Sequence, residues 1–161
     1  MKAICLSVAV ATAMAISQSP AAAKQSLQDD DVASALDSRL AQTFKGEPWT
    51  HHDAARFVAE FYTPDAVGTM QGAATAWRGT SALTGLMTGV MQTYQSVDYH
   101  IDSTHTMSRD AAYQFVVLDA VPVDATKPHD MLKCLYVWQK LSAGWRVAAD
   151  MCSAGDLEKA K

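Results

Sequence analysis

Apolar residues recur at helical spacing along much of the first part of this chain and at strand spacing along the rest, with the change at Ser96. Val32, Leu36, Leu40 and Phe44 mark one face of a first helix, which Ser26 is placed to cap. Its acidic first turn, Asp29-Asp30-Asp31, suits the positive end of the helix dipole, and Gly46 and Pro48 end it. Thr50, followed by His51-His52-Asp53, starts a second helix in the manner of a capping box, with Ala54, Phe57, Val58 and Phe61 as its buried stripe. Tyr62-Thr63-Pro64-Asp65 stops that helix, Ala66–Met70 reads as a short strand, and Gln71–Gly79 as a loop. Thr80 or Ser81 caps a third helix whose apolar side is Leu83, Leu86, Met87, Val90, Met91 and Tyr94. A methionine-rich face of this kind is either plain core or the adaptable wall of a pocket.

From Ser96 onward the pattern is that of strands. Val97, Tyr99 and Ile101 alternate with Asp98, His100 and Asp102, Arg109-Asp110 marks a turn, and Tyr113–Val123 is apolar enough to be buried on both faces. Asp124–Pro128 connects to the last pair, Met131–Cys152, a hairpin folded at Ser142-Ala143-Gly144. Pairing Leu141 with Trp145 collects Leu135, Val137, Leu141, Trp145, Val147, Ala149 and Met151 on one face, a core wall broken only by Gln139. Cys134, Tyr136, Trp138, Lys140, Arg146, Ala148, Asp150 and Cys152 then share an amphipathic face. The same register sets Cys134 opposite Cys152, with Cα atoms roughly 4.5–5.5 Å apart, a separation that a disulfide can bridge. Opposed cysteines also serve as small core residues. Helix, helix, strand, helix and then antiparallel strands is an α+β order, with helices packed on one face of a curved sheet.

Composition narrows the setting. The 161 residues make one domain, and 49% apolar with 19% charged residues is enough for a core and too little charge for a disordered chain. Lys2, the apolar run Ala3–Ile16 and the small residues Ala21-Ala22-Ala23 form the pattern of a secretory signal peptide over residues 1–23, cleaved after Ala23, rather than of a buried N-terminal helix. The mature domain is then residues 24–161, with 12 basic and 17 acidic residues and a charge of −5. It has no Lys/Arg cluster, so nucleic acid and anionic lipid are poor partners, and no later run is long and apolar enough to cross a bilayer. Cys5 leaves with the signal, which puts Cys134 and Cys152 in an oxidising compartment. The chain has no Asn and hence no N-glycosylation acceptor.

Three local motifs, in this order and spacing, resemble the NTF2-like superfamily, the cone-shaped α+β fold of ketosteroid isomerase and SnoaL-type cyclases. They are Phe61-Tyr62-Thr63-Pro64-Asp65-Ala66-Val67 at the helix-to-strand passage, Trp77-Arg78-Gly79-Thr80-Ser81-Ala82-Leu83 at the entry to the third helix, and Gly144-Trp145-Arg146-Val147-Ala148-Ala149-Asp150 on the last strand. The last is closest in style to the DUF4440 and SgcJ/EcaC-like branches. The resemblance covers essentially all of the mature chain. It implies a pocket between sheet and helices and, usually, a homodimer formed through the sheet; it implies no particular reaction.

An isomerase of this fold needs a carboxylate base on the strand after the second helix, where this chain has Met70. A thioether accepts no proton, which argues against ketosteroid isomerase chemistry. Asp150 is the carboxylate best placed for acid/base work, with His100 or Tyr136 as its partner, because its face also carries aromatic residues that would raise its pKa. The structural alternative is an ion pair with Arg146 or Arg78, or an outward position at a dimer interface. Asp98-His100-Asp102, with His105 nearby, could converge on a metal but also fits the polar side of a solvated strand; without Cys or HExxH-type spacing no metal is expected. His51-His52 reads as surface at a helix start. Gly68, Gly72 and Gly79 fit no phosphate-binding spacing, there is no Gly-x-Ser-x-Gly elbow, and no cofactor is implied. Three function classes follow. One is a secreted or periplasmic binding protein whose pocket, lined by Phe61, Trp77, Met87, Tyr113, Tyr136 and Trp138, holds a small hydrophobic molecule. The others are an isomerase, lyase or hydrolase built on Asp150, and a dimerisation module without ligand. The scarcity of acid/base residues at pocket positions favours the first.

Overall fold

The structure, a computed structural model, describes residues 20–157. Helix α1 spans Pro20–Phe44, α2 Glu47–Thr50 and α3 Ala54–Phe61; strand β1 is Tyr62–Met70 and β2 Trp77–Arg78. Helix α4 (Gly79–Thr93) is followed by β3 (Tyr94–Ser108), β4 (Ala111–Pro122), β5 (Asp130–Leu141) and β6 (Gly144–Ala154). The α+β fold class expected from the sequence is the one observed: helices packed on one side of a curved, six-stranded sheet of order β2-β1-β6-β5-β4-β3.

The helical stripes sit where their periodicity puts them. Val32, Leu36, Leu40 and Phe44 of α1, Ala54, Phe57, Val58 and Phe61 of α3, and Leu83, Met87 and Met91 of α4 are all buried in one core. Each of these side chains larger than Ala54 contributes about 1.5–3 kcal/mol by leaving water. The helix ends differ from expectation. Helix α1 runs through Ser26 and begins at Pro20, so cleavage after Ala23 would cut within its first turn, while residues 1–19 of the signal segment lie outside the described residues. Pro48 does not merely end α1; it occupies the first turn of the short α2, where its missing N–H costs no hydrogen bond. Asp53 rather than Thr50 caps α3, accepting from the Arg56 amide at 2.9 Å. Neither Thr80 nor Ser81 caps α4, which enters directly from extended Arg78 through Gly79, whose φ of +72° favours glycine.

Sheet pairing brings distant segments together. Strand β1 starts at Tyr62, immediately after α3, and lies parallel to β6; the pairing breaks between Tyr62 and Val67, and Pro64 falls in that break, where its lack of an N–H is harmless. In β3, Val97, Tyr99 and Ile101 point to the core, and Asp98, His100 and Asp102 are exposed. Strand β4 alternates more than expected: Ala112, Gln114, Val116, Leu118 and Ala120 are buried, while on the other face Val117 is buried and Tyr113 and Phe115 only half-buried.

The hairpin corrects the expected faces. Leu141 pairs with Gly144 across a two-residue turn, and Trp145 pairs with Lys140. Trp138 pairs with Val147, after which Ala148 is an extra residue on β6, so that Val137 meets Ala149, Tyr136 meets Asp150 and Cys134 meets Cys152. The core wall is therefore Cys134, Tyr136 and Trp138 on β5, joined by Trp145, Val147 and Cys152 of β6. Leu135, Val137, Ala149 and Met151 lie on the opposite, outer face, with Met151 57% exposed. Cys134 and Cys152 form a disulfide with Cα atoms 4.2 Å apart.

Candidate functional site

A cavity of about 390 Å³ lies between the helices and the inner face of the sheet. Phe57 and Phe61 of α3 and Leu86, Met87 and Val90 of α4 form one side; Val97, Leu118, Ala120 and Leu132 of the sheet form the other. Trp77 and Met70 complete an almost wholly apolar lining. The polar groups that interrupt it include Asp150, Tyr62, Tyr136 and Thr69.

The bulge at Ala148 aims Asp150 into this cavity. Strand side chains alternate, so without the extra residue Ala149 would follow Val147 inward and Asp150 would face out. The carboxylate lies across the sheet from Tyr136, and the Tyr62 hydroxyl donates to its Oδ2 at 2.6 Å. Burial pushes the Asp150 carboxyl up to about 6, with the Tyr62 hydroxyl and the Thr69 backbone amide opposing that rise by favouring the charged form. Both phenols are held above their usual range, first by burial and then by the Asp150 charge. Gly68, paired with Asp150 on β1, makes room: a Cβ there would stand 2.7 Å from Oδ1 and 3.1 Å from Leu83 Cδ2. Across this polar group only one carboxylate is present, and among the described residues no Lys, Arg or His lines the cavity.

The candidate residues separate into two groups. Asp150, Tyr136, Phe61, Trp77 and Met87 line the cavity together. His100 and Tyr113 do not reach it. His100 is exposed on the outer face opposite Val117, and half-buried Tyr113 stacks on His105 with ring centroids 4.6 Å apart. Trp138 is buried behind the cavity against Phe61, at 5.5 Å, and Tyr136, at 6.0 Å. The ion pairs considered for Asp150 are not formed among the described residues: Arg146 faces the other side of β6 and donates to the Trp145 carbonyl at 3.1 Å, and Arg78 is exposed. Asp150 does not point outward. Met70, where the resemblance led one to look for an isomerase's base, is part of the apolar lining. The disulfide borders the cavity through Cys152.

Tyr62 is the residue that the sequence reading passed over, treating it as the end of a helix. Its role depends on the parallel β1–β6 pairing, which joins segments some 80 residues apart and leaves no local periodicity to read. The aromatic-then-turn motif at the helix-to-strand passage was the one signal available.

This arrangement is the NTF2-like fold, as the three motifs imply. Among solved structures, the chain is similar to a ketosteroid isomerase-like protein from Erwinia carotovora atroseptica SCRI1043, with a TM-score of 0.63 and 18% identity over 77% of this chain and 96% of that one. An NTF2-like protein of unknown function from Pseudomonas putida KT2440 gives a TM-score of 0.63 at 18% identity, covering 82% and 93%. A hexachlorocyclohexane dehydrochlorinase, LinA type 2, gives 0.60 at 12%, covering 84% and 95%. No family model and no curated protein matches the sequence. No described helix is long and apolar enough to cross a membrane.

Proposed function

We propose that this chain is a secreted binding protein that holds a small, mostly apolar molecule in the cavity between its helices and sheet. The observation that carries this reading is the cavity itself: about 390 Å³ of space lined by aromatic and aliphatic side chains, with polar groups converging around Asp150. Secretion is supported by the signal-like residues 1–23 and by a disulfide between the two cysteines that cleavage would leave, which suits an oxidising compartment. A homodimer through the outer sheet face fits its half-buried Tyr113, Phe115, Leu135 and Val137 and its exposed Met151. The test is intrinsic fluorescence, because Trp49 and Trp77 line the cavity. A panel of steroids, polyketides, fatty acids and hydrophobic amines should include a molecule that changes the emission saturably; a flat response across apolar ligands of this size would remove the reading.

A second reading has its own observation. A carboxyl poised near pH 6 beside a tyrosine hydroxyl at 2.6 Å is suited to accept and return a proton, in an isomerase, lyase or hydrolase. One of the similar solved structures is a dehydrochlorinase, which is consistent with a catalytic use of the fold. In this reading Asp150 is the base and Tyr62 and Tyr136 are hydrogen-bond donors to a developing oxyanion, with no part for His100. Asp150→Asn would then abolish turnover of a ligand that still binds.

A further inference from the structure

The polar end of the cavity is one-sided in charge. Asp150 accepts from the Tyr62 hydroxyl and is favoured by the Thr69 amide, but no cation of this chain reaches it among the described residues. An ionised carboxylate withdrawn from water without a counter-charge is a costly arrangement. The groups facing it from the packed elements are Tyr62 and Gly68 on β1, Tyr136 on β5 and Leu83 on α4; none can supply positive charge. Its Oδ1 occupies the space that Gly68 leaves beside Leu83, and the carboxylate as a whole, which lines the cavity, is when ionised an acceptor only.

That chemistry sorts ligands. A carboxylate, phosphate or sulfate would bring a second negative charge into a cavity with no Lys, Arg or His among the described residues to meet it. A neutral alcohol would supply one hydrogen bond and no charge. An ammonium supplies both, and the rings of Phe61, Trp77, Tyr62 and Tyr136 around the same space are suited to a cation. Resting on the ligand-binding reading above, we propose that the molecule held here is a small hydrophobic amine, its ammonium paired with Asp150 and its one- or two-ring body among Phe57, Met87, Val90 and Leu118. The cavity is at the small end of small-molecule sites, which sets the size of that body.

Calorimetric titration with three molecules of one shape tests this: 3-phenylpropylamine, 3-phenylpropanol and 3-phenylpropanoate. At pH 7.5 the amine should bind at least tenfold more tightly than the alcohol, and the acid should give no binding. Asp150 titrates near 6 and both tyrosines above the usual range, so the amine's advantage should shrink severalfold between pH 7.5 and 5 while alcohol binding stays constant. Asp150→Asn should erase the advantage and Tyr62→Phe should keep most of it. Should the Asn variant fail to fold, the wild-type pH series decides alone. Alcohol binding as tight as the amine's, or an advantage indifferent to pH, overturns the amine assignment and leaves the ligand-binding reading intact. Binding by none of the three, together with a flat response to the wider apolar panel, overturns both.

Discussion

On the inner face of the sheet Asp150 sits beside Tyr62 and Tyr136 beneath α3 and α4; on the outer face Asp98, Asp119, His100, His105 and Tyr113 make a set at least as rich in polar and aromatic groups. Outside, the charges find ordinary exposed partners: Asp98 meets Lys45 at 3.5 Å and Asp119 meets His129 at 2.8 Å. Exposed pairs of this kind contribute little and are screened by salt. Inside, a single carboxylate is deprived of water and its proton affinity rises. The chemistry of this molecule therefore follows from which face a residue occupies more than from its type.

That contrast can be broken first at the wall beneath Asp150. Leu83 is fully buried and abuts Gly68, so Leu83→Ala should cost about 2–5 kcal/mol by lost burial and cavity formation. Met151→Ala, on the exposed outer side, should cost under about 0.5 kcal/mol. Urea unfolding of the two variants measures the difference, and equal costs would mean that the faces are wrongly assigned. The next effect is the disulfide, which closes a loop of sequence separation 18 beside the cavity. Replacing both cysteines with alanine should lower stability by about 3 kcal/mol on the chain-entropy account. Alkylation followed by mass spectrometry should find no free thiol at Cys134 or Cys152 in the oxidised protein.

A third measurement isolates Asp150. Its folded value of about 6 stands above the ordinary aspartate value of 3.8, so the folded state holds this proton more tightly than the unfolded chain. The associated stability is present in full below about pH 4 and is lost as pH rises through about 6, a change on the order of 2–3 kcal/mol at 1.36 kcal/mol per pKa unit. Other carboxylates have their own dependence, so the informative quantity is the difference between wild type and Asp150→Asn. The variant should gain on wild type from pH 4 to 6 and then run parallel to it, melting at or above the wild-type temperature at pH 7.5. A variant that instead loses stability at pH 7.5 would assign Asp150 a structural role.

How much of this was legible in the sequence depends on the range of the interaction. The stripes Val32–Leu36–Leu40–Phe44 and Ala54–Phe57–Val58–Phe61 could be read because a helix repeats its burial every turn, a local property. The faces of the last hairpin could not, because one unmarked residue decides them. The turn is one residue shorter than expected and Ala148 is one residue extra, and the two departures cancel beyond the bulge. Hence Cys134 meets Cys152 and Tyr136 meets Asp150 as the simple register requires, although the strand between Trp145 and Val147 is displaced by one position and the core wall of β5 is the opposite of the expected one. The contact between Tyr62 and Asp150 was out of reach for a different reason: only the parallel β1–β6 pairing creates it.

The smallest effect concerns His100, the residue whose type promised most and whose position delivers least. Its neighbours in sequence, Tyr99 and Ile101, turn inward, so strand alternation sends its imidazole outward, where it stands exposed opposite Val117. To reach Asp150 it would have to pass through the sheet. His100→Ala should therefore change stability by less than about 0.5 kcal/mol and leave ligand affinity and its pH dependence at wild-type values. The measurement is sharp because histidine is the side chain that ordinarily titrates between pH 5 and 8, the range in which Asp150 changes charge. If the pH dependence of binding moved with His100→Ala and stayed in place with Asp150→Asn, the titrating group would be on the outer face, and the distinction drawn between the two sides of the sheet would have to be reversed.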